Sequence, residues 1–329
     1  MKISNEKIMN FWGSLLFFIA FIEKSFAADF CYEDSHCGPN SWGNSFAQCF
    51  PRTNSHQSPI NLDSKMTRKE SLGALDLRGF DTVPSGNWTL KNNGHTVMLE
   101  VNGLSVSGGG LSDTYQAQQL HFHWGGPSTN GSEHTVNGRR YPMEMHIVSM
   151  KTTHQNLTSA LNDTSGLAVL GVLIDVADRD NSNFSAISDS VAFVKYKGTT
   201  LPISPFPLIS LLPMQNMSQY YRYHGSLTTP PCSEAVVWTV YEAPIYVSQK
   251  QVRAFASPLL MPSPSGVYYT EEGANKALLQ NNFRDVQARS SWAVYASKDA
   301  RLVSSSTPMP SSHRSLTLLL FPPLAVWRL

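Results

Sequence analysis

The chain has 329 residues, with 25 Lys and Arg against 24 Asp and Glu, a net charge of +1, and 41% hydrophobic residues. A balance this even, with no run of basic side chains, excludes the electrostatic footprint of a nucleic-acid-binding protein, and no block of like charges marks an interaction tail. The length admits one large β-rich domain as readily as two smaller ones.

A Lys-bearing start (Lys2, Lys7) leads into the apolar run 11–22 and then into Ser25-Phe26-Ala27, a small-x-small cleavage pattern. Residues 1–27 therefore read as a signal peptide, because about 20 apolar residues are needed to span a bilayer and this run is shorter. Cys31, Cys37, Cys49 and Cys232 follow. Behind a signal peptide four cysteines favour two disulfides over metal thiolates, since the secretory route is oxidising, and three pairings are possible. Sequons at Asn87, Asn130, Asn156, Asn162, Asn183 and Asn216 fit the same compartment.

The body alternates short apolar segments with Gly, Asn, Pro and Ser. Strands are predicted at 88–90, 97–101, 120–124, 143–150, 167–176 and 235–241. Short helices are predicted at 156–161, 208–212 and 252–255. No repeat or linker interrupts residues 28–303, so the fold expected is mainly β, in one domain. Beyond it, Ser304, Ser305 and Ser306 precede a polar spacer (307–315) and an apolar stretch (316–327). That order is a glycosylphosphatidylinositol attachment signal, which would be removed as residues 304–329.

The segment with most chemical content is Gln119-Leu120-His121-Phe122-His123-Trp124. Side chains alternate across a strand, which puts Gln119, His121 and His123 on one face and leaves Leu120, Phe122 and Trp124 to pack the other. A second strand repeats the device, with Glu144, His146 and Val148 sharing a face. If the two strands are neighbours, three imidazoles converge. Three neutral histidines leave a zinc ion its full double charge and an open coordination position, which is a catalytic arrangement. Gln119 and Glu144, each two residues from a ligand on the ligand face, are placed to accept the imidazoles' remaining N–H groups.

Seven ordered stretches carry a resemblance that covers almost the whole of residues 28–303. They are Gln57-Ser58-Pro59-Ile60-Asn61, Asn92-Asn93-Gly94-His95, the segment from Gln119 to Gly125, Gly131-Ser132-Glu133-His134, the segment from Met143 to His146, Gly166-Leu167-Ala168-Val169-Leu170, and Gly225-Ser226-Leu227-Thr228-Thr229-Pro230-Pro231. On these the sequence resembles the alpha-class carbonic anhydrases, and within them the extracellular, lipid-anchored branch of types IV and XV. The resemblance implies a single domain on a large, twisted, mostly antiparallel central sheet with short peripheral helices. It also implies the disulfides Cys31–Cys37 and Cys49–Cys232.

For function the resemblance implies reversible hydration of carbon dioxide to bicarbonate and a proton at the extracellular face of the membrane. Zinc would be held by His121, His123 and His146. The apolar wall for carbon dioxide maps onto Val148, Leu167, Val169, Leu227, Val236 and Trp238. Thr228 would orient the attacking hydroxide while donating to Glu133, Thr229 would contact bicarbonate, and His95 would pass protons to buffer. His134 would be a buried structural histidine, and His36, His56, His154, His224 and His313 surface or packing residues. Two departures stand out: Asn44 follows Trp42-Gly43 where many relatives have tyrosine, and Met98 stands where others carry a polar residue. Both are expected to border the water network near His95.

Two other readings compete. A catalytically inactive, carbonic-anhydrase-like cell-surface binding protein would lack a zinc ligand, and all three are present. A zinc peptidase would need His-Glu-x-x-His on a helix, and no such string occurs.

Overall fold

A computed structural model describes residues 30–50, 52–65, 67–256, 278–289, 292–297 and 299. The expected signal peptide, the attachment serines Ser304, Ser305 and Ser306, and His313 lie outside the described residues. Among those described, no helix is long and apolar enough to cross a membrane.

The centre is a 13-stranded sheet. Its main path runs Thr200–Ile203, Trp88–Asn92, Val97–Glu100, Tyr115–Trp124, Met143–Lys151, Leu167–Ala177, Val236–Tyr241, Tyr220–Gly225, Tyr295–Ser297 and Arg68–Glu70. Neighbours pair antiparallel except where Leu167–Ala177 meets Val236–Tyr241 and Ile245–Ser248, and where Tyr295–Ser297 meets Arg68–Glu70. The sheet is thus mostly antiparallel, and all six predicted strands lie in it. Leu167–Ala177 is buried over nine consecutive residues, as its unbroken apolar run requires of a strand covered on both faces.

Helices are short. Leu157–Ala160 is capped by the Asn156 side chain, which accepts from the Ser159 amide, and Gln249–Ala256 buries Val252 and Phe255. The predicted 208–212 segment is a 3-10 helix, Leu208–Leu211. The helix Ser182–Ser188 was not predicted: its buried apolar residues are only Phe184 and Ile187, too few to show a period, although the Asn181 cap that accepts from Asn183 was readable.

Two apolar clusters cover the sheet. One packs Leu120, Phe122, Trp124, Met143, Met145 and Ile147 against the helices, and the other contains Leu167, Val169, Leu173, Val236 and Trp238. Each fully buried large side chain contributes roughly 1.5–3 kcal/mol.

A β-bulge decides which residues of Tyr115–Trp124 face which cluster. Ser149 pairs with Ala117 and Val148 with Gln119, so Gln118 has no partner across that ladder. Before it the odd-numbered Tyr115 and Ala117 are buried; after it the even-numbered Leu120, Phe122 and Trp124 fill the core. One extra residue inverts the phase of everything beyond it. Without the bulge, an unbroken alternation from Tyr115 would carry His121 and His123 into the apolar core.

Candidate metal centre and active site

The ladder between Tyr115–Trp124 and Met143–Lys151 sets His146 directly opposite His121 and Glu144 opposite His123. One ring nitrogen from each of His121, His123 and His146 lies within 4.8 Å of the others. The opposite nitrogen of each ring meets an acceptor. His121 Nδ1 is 2.9 Å from Gln119 Oε1, His123 Nδ1 is 2.7 Å from the Asn282 carbonyl, and His146 Nε2 is 2.7 Å from Glu144 Oε1. An acceptor on one nitrogen places the proton there and turns the lone pair of the other toward the common centre. The inward atoms are therefore Nε2 of His121, Nε2 of His123 and Nδ1 of His146.

Burial and the neighbouring imidazoles hold His121 well below the usual histidine range. Burial also lowers His123, against the opposing pull of Glu133. Both rings thus stay neutral, as ligands must. His123 Nε2 is buried with no hydrogen-bond partner, and 3.4 Å away Glu133 Oε2 is likewise buried without one. Two acceptors facing each other in a buried site call for a positive charge or a donor between them. A divalent cation at the three nitrogens fits that requirement and this all-imidazole donor set.

Glu144 holds the centre from behind. Its Oε2 accepts from the Glu133 and His134 amides at 2.9 and 2.7 Å, and its Oε1 lies 2.6 Å from His134 Nδ1 as well as beside His146. Despite burial, which alone would raise it, His134 and His146 hold this carboxyl well below its ordinary range. Space for the carboxylate comes from Gly171 on the next strand, opposite His146, where a Cβ would meet Val240 at 3.2 Å and Glu144 Oε1 at 3.4 Å. His134 uses its other nitrogen on the Tyr223 hydroxyl, at 2.6 Å. With both nitrogens engaged it has no lone pair to offer a metal.

The apolar wall gathers as one surface. Val148 pairs with Val169, Val169 with Trp238 and Leu167 with Val236, and Leu227 packs on the same cluster. Trp238 brings it to the metal side, its ring 4.8 Å from that of His146. Thr228 is buried in the turn that follows Tyr220–Gly225, and Thr229 is half-buried beside it. The hydrogen bond expected from Thr228 to Glu133 is not formed. Glu133 Oε1 accepts instead from the Arg284 amide at 2.9 Å, and its Oε2 faces the histidines.

The two disulfides are Cys31–Cys37 and Cys49–Cys232. The second ties the N-terminal segment to the Thr228 turn across 183 residues of sequence. Arg284 reinforces the tie, donating to Gln57 Oε1, the Ser58 carbonyl and the Cys49 carbonyl, and burial brings its guanidinium down to about 10. Asn282 links the metal centre to the shuttle segment. Its carbonyl faces His123, its Oδ1 accepts from the Trp124 amide, and its Nδ2 donates to the His95 and Phe122 carbonyls. No signal in the sequence marked Asn282 or Arg284, since each acts mainly through backbone groups distant in the chain.

Asn44 borders a cavity of about 150 Å³ with Pro39, Gly43, Phe50 and Asp285. Tyr32 packs edge-on against Phe30 and Trp42, its hydroxyl raised well above the usual range by burial and by Glu133. Met98 does border the centre, paired with His121.

A family model for eukaryotic-type carbonic anhydrase matches residues 37–298. Carbonic anhydrase 15 of Mus musculus is 38% identical over 297 residues, 87% of this chain and 88% of that one. Carbonic anhydrase 4 of Oryctolagus cuniculus is 35% identical over 90% of both chains, and carbonic anhydrase 12 of Homo sapiens is 36% identical over 79% of this chain and 71% of its own.

Proposed function

Because the chain belongs to the eukaryotic-type carbonic anhydrase family and is an enzyme of carbon dioxide hydration, we propose that it works with a zinc ion held by His121, His123 and His146. The observation that carries this is the convergence of three imidazoles whose outer nitrogens each meet an acceptor. Zinc in such a site supplies a charge that makes water ionise near neutral pH, at about 7, carbonic anhydrase being the reference case for that value.

The chain's own residues do the rest. Gln119, Glu144 and Asn282 orient the three imidazoles by accepting from their outer N–H groups. Carbon dioxide is apolar and uncharged, and Val148, Leu167, Val169, Leu227, Val236 and Trp238 give it a dry wall beside the metal. In the working geometry the Thr228 hydroxyl donates to Glu133 Oε2, now without a donor, which turns its lone pairs toward the attacking oxygen. Thr229 contacts bicarbonate. His95 carries the released proton to buffer, as an imidazole titrating near neutrality can in both directions.

The same reading places the domain (28–303) at the extracellular face of the membrane, on a lipid anchor that replaces residues 304–329. It is supported by the two disulfides and by sequons at Asn87, Asn130, Asn156, Asn162 and Asn183 that are exposed, with Asn216 half-buried.

Stopped-flow carbon dioxide hydration of the purified protein, with a parallel zinc assay, tests the metal reading. Activity with about one zinc per chain, lost on chelation and regained with zinc, is the outcome expected. Full zinc without turnover would count against the roles of Thr228 and Glu133.

A further inference from the structure

His95 sits in a turn with a fixed backbone. Asn93 Oδ1 accepts from the His95 and Thr96 amides, Asn92 Oδ1 accepts from the Gly94 amide, and Gly94 takes φ +91°, a value that favours glycine. Any change in the imidazole's position is therefore a side-chain rotation. The ring stacks on Phe30, centroids 4.0 Å apart and planes 13° from parallel, and both ring nitrogens are shielded from solvent. A proton on a nitrogen so placed does not meet bulk buffer directly while the ring stays in the stack.

Phe30 is itself held. It precedes a small ring closed by Cys31–Cys37, with the Cys31 amide donating to the Cys37 carbonyl at 2.7 Å. The buried Trp42 indole N–H donates to both the Cys31 and Cys37 carbonyls, at 3.1 and 2.8 Å. Phe30 packs edge-on against Trp42 at 5.4 Å, and Glu33 in the same ring accepts from Asn281, the neighbour of Asn282.

We propose that Phe30, held by the Cys31–Cys37 ring, is a positioning residue that parks the His95 imidazole in a closed stack, so that proton delivery to buffer requires the stack to open. The inference rests on the reading of His95 as the proton carrier. It makes proton export, separately from carbon dioxide chemistry, dependent on one disulfide. Loss of Cys31–Cys37 loosens Phe30 and leaves the shuttle free to rotate.

The test compares the zinc-loaded wild-type protein with Phe30→Ala, Phe30→Trp and the double variant Cys31→Ser/Cys37→Ser. Labelling of His95 by diethyl pyrocarbonate, followed by peptide mass spectrometry, reports access to the ring. Phe30→Ala and the double variant should label roughly two- to tenfold faster, the range expected for losing one aromatic stack, while Phe30→Trp labels at the wild-type rate. Phe30→Ala does not depend on the disulfide, so the test survives if the double variant fails to fold. In dilute buffer the fast-labelling variants should also turn over faster, with the difference vanishing once imidazole is added. Unchanged labelling in Phe30→Ala overturns the stack as a barrier, and faster labelling without faster turnover overturns its link to proton export. A His95→Ala control separates the premise: if that variant loses nothing in dilute buffer the shuttle reading fails, while the labelling still reports the stack.

Discussion

His121, His123 and His146 stand on adjacent strands of a ladder that fixes their spacing, whereas His95, Phe30, Tyr32 and Thr228 come from turns and loops outside that ladder. In the first group position follows from backbone pairing and from one bulge at Gln118. In the second it follows from local ties, the Asn92 and Asn93 side chains and the Cys31–Cys37 ring, and from Asn282, Arg284 and Cys49–Cys232, which join segments that the sheet does not join. The sheet-borne part should therefore lose metal without losing shape, and the loop-borne part should lose shape when its ties are cut.

The largest expected effect tests the first half. His123→Ala removes one of three ligands, and zinc affinity should fall on the order of a thousandfold, about a third of a binding free energy of roughly 12 kcal/mol. Competition with a chromophoric chelator measures it, and near-ultraviolet circular dichroism should be preserved. Loss of the fold in that variant would show that the metal, and not the ladder, holds the strands in place.

Cutting a tie tests the second half. Arg284→Met removes donors to Gln57, Ser58 and Cys49 and leaves Glu133 buried without the nearby guanidinium. It should destabilise by about 3 kcal/mol in urea unfolding, the scale of breaking a buried charged network. A loss below about 1 kcal/mol would mean that the Cys49–Cys232 disulfide alone fixes this region. Thr228→Val comes next: kcat/KM should drop about 100-fold with zinc affinity retained, the usual scale for removing one preorganised hydrogen-bonding group. A comparable loss of zinc would move Thr228 from orienting the reaction to building the centre.

The same division explains what could be read from the chain. Alternation put His121 and His123 on one face of their strand and Glu144 and His146 on one face of theirs, because a strand's period of two is local information. The bulge at Gln118 was not read, because the predicted strand began at Leu120 and the step from buried odd positions (Tyr115, Ala117) to buried even ones (Leu120, Phe122, Trp124) starts before it. The wall residues and the roles of His95 and Thr228 came from resemblance to a family, since apolar residues and a Thr-Thr-Pro-Pro turn carry no chemistry by themselves. Asn282 and Arg284 stayed hidden. They act across 282-to-95 and 284-to-49 separations, and no short-range pattern reports which distant backbone group a side chain will reach.

The smallest expected effect concerns a loop outside the site, between the strand of His146 and the strand of Val169. Asp163 Oδ2 lies 3.0 Å from His154 Nε2 and accepts from Lys151 at 2.9 Å, while its Oδ1 accepts from the Ser165 amide and hydroxyl. These bonds, that of His154 first and Lys151 next, hold the carboxyl well below the usual carboxylate range. A carboxyl depressed in the folded state adds stability at every pH above its unfolded value of about 4, and that contribution is lost as pH falls through the folded value. Because the side chain is 29% exposed, solvent screening limits the effect to about 1 kcal/mol. Asp163→Asn should thus be less stable than wild type by that amount from pH 5 to pH 7, with the gap narrowing below about pH 4. Urea titrations across that range measure it. A gap that stays constant into acid would mean that the loop is held by the geometry of Lys151 and Ser165 and not by the charge of Asp163, so that even a loop-borne element can be fixed as the strands are, by shape alone.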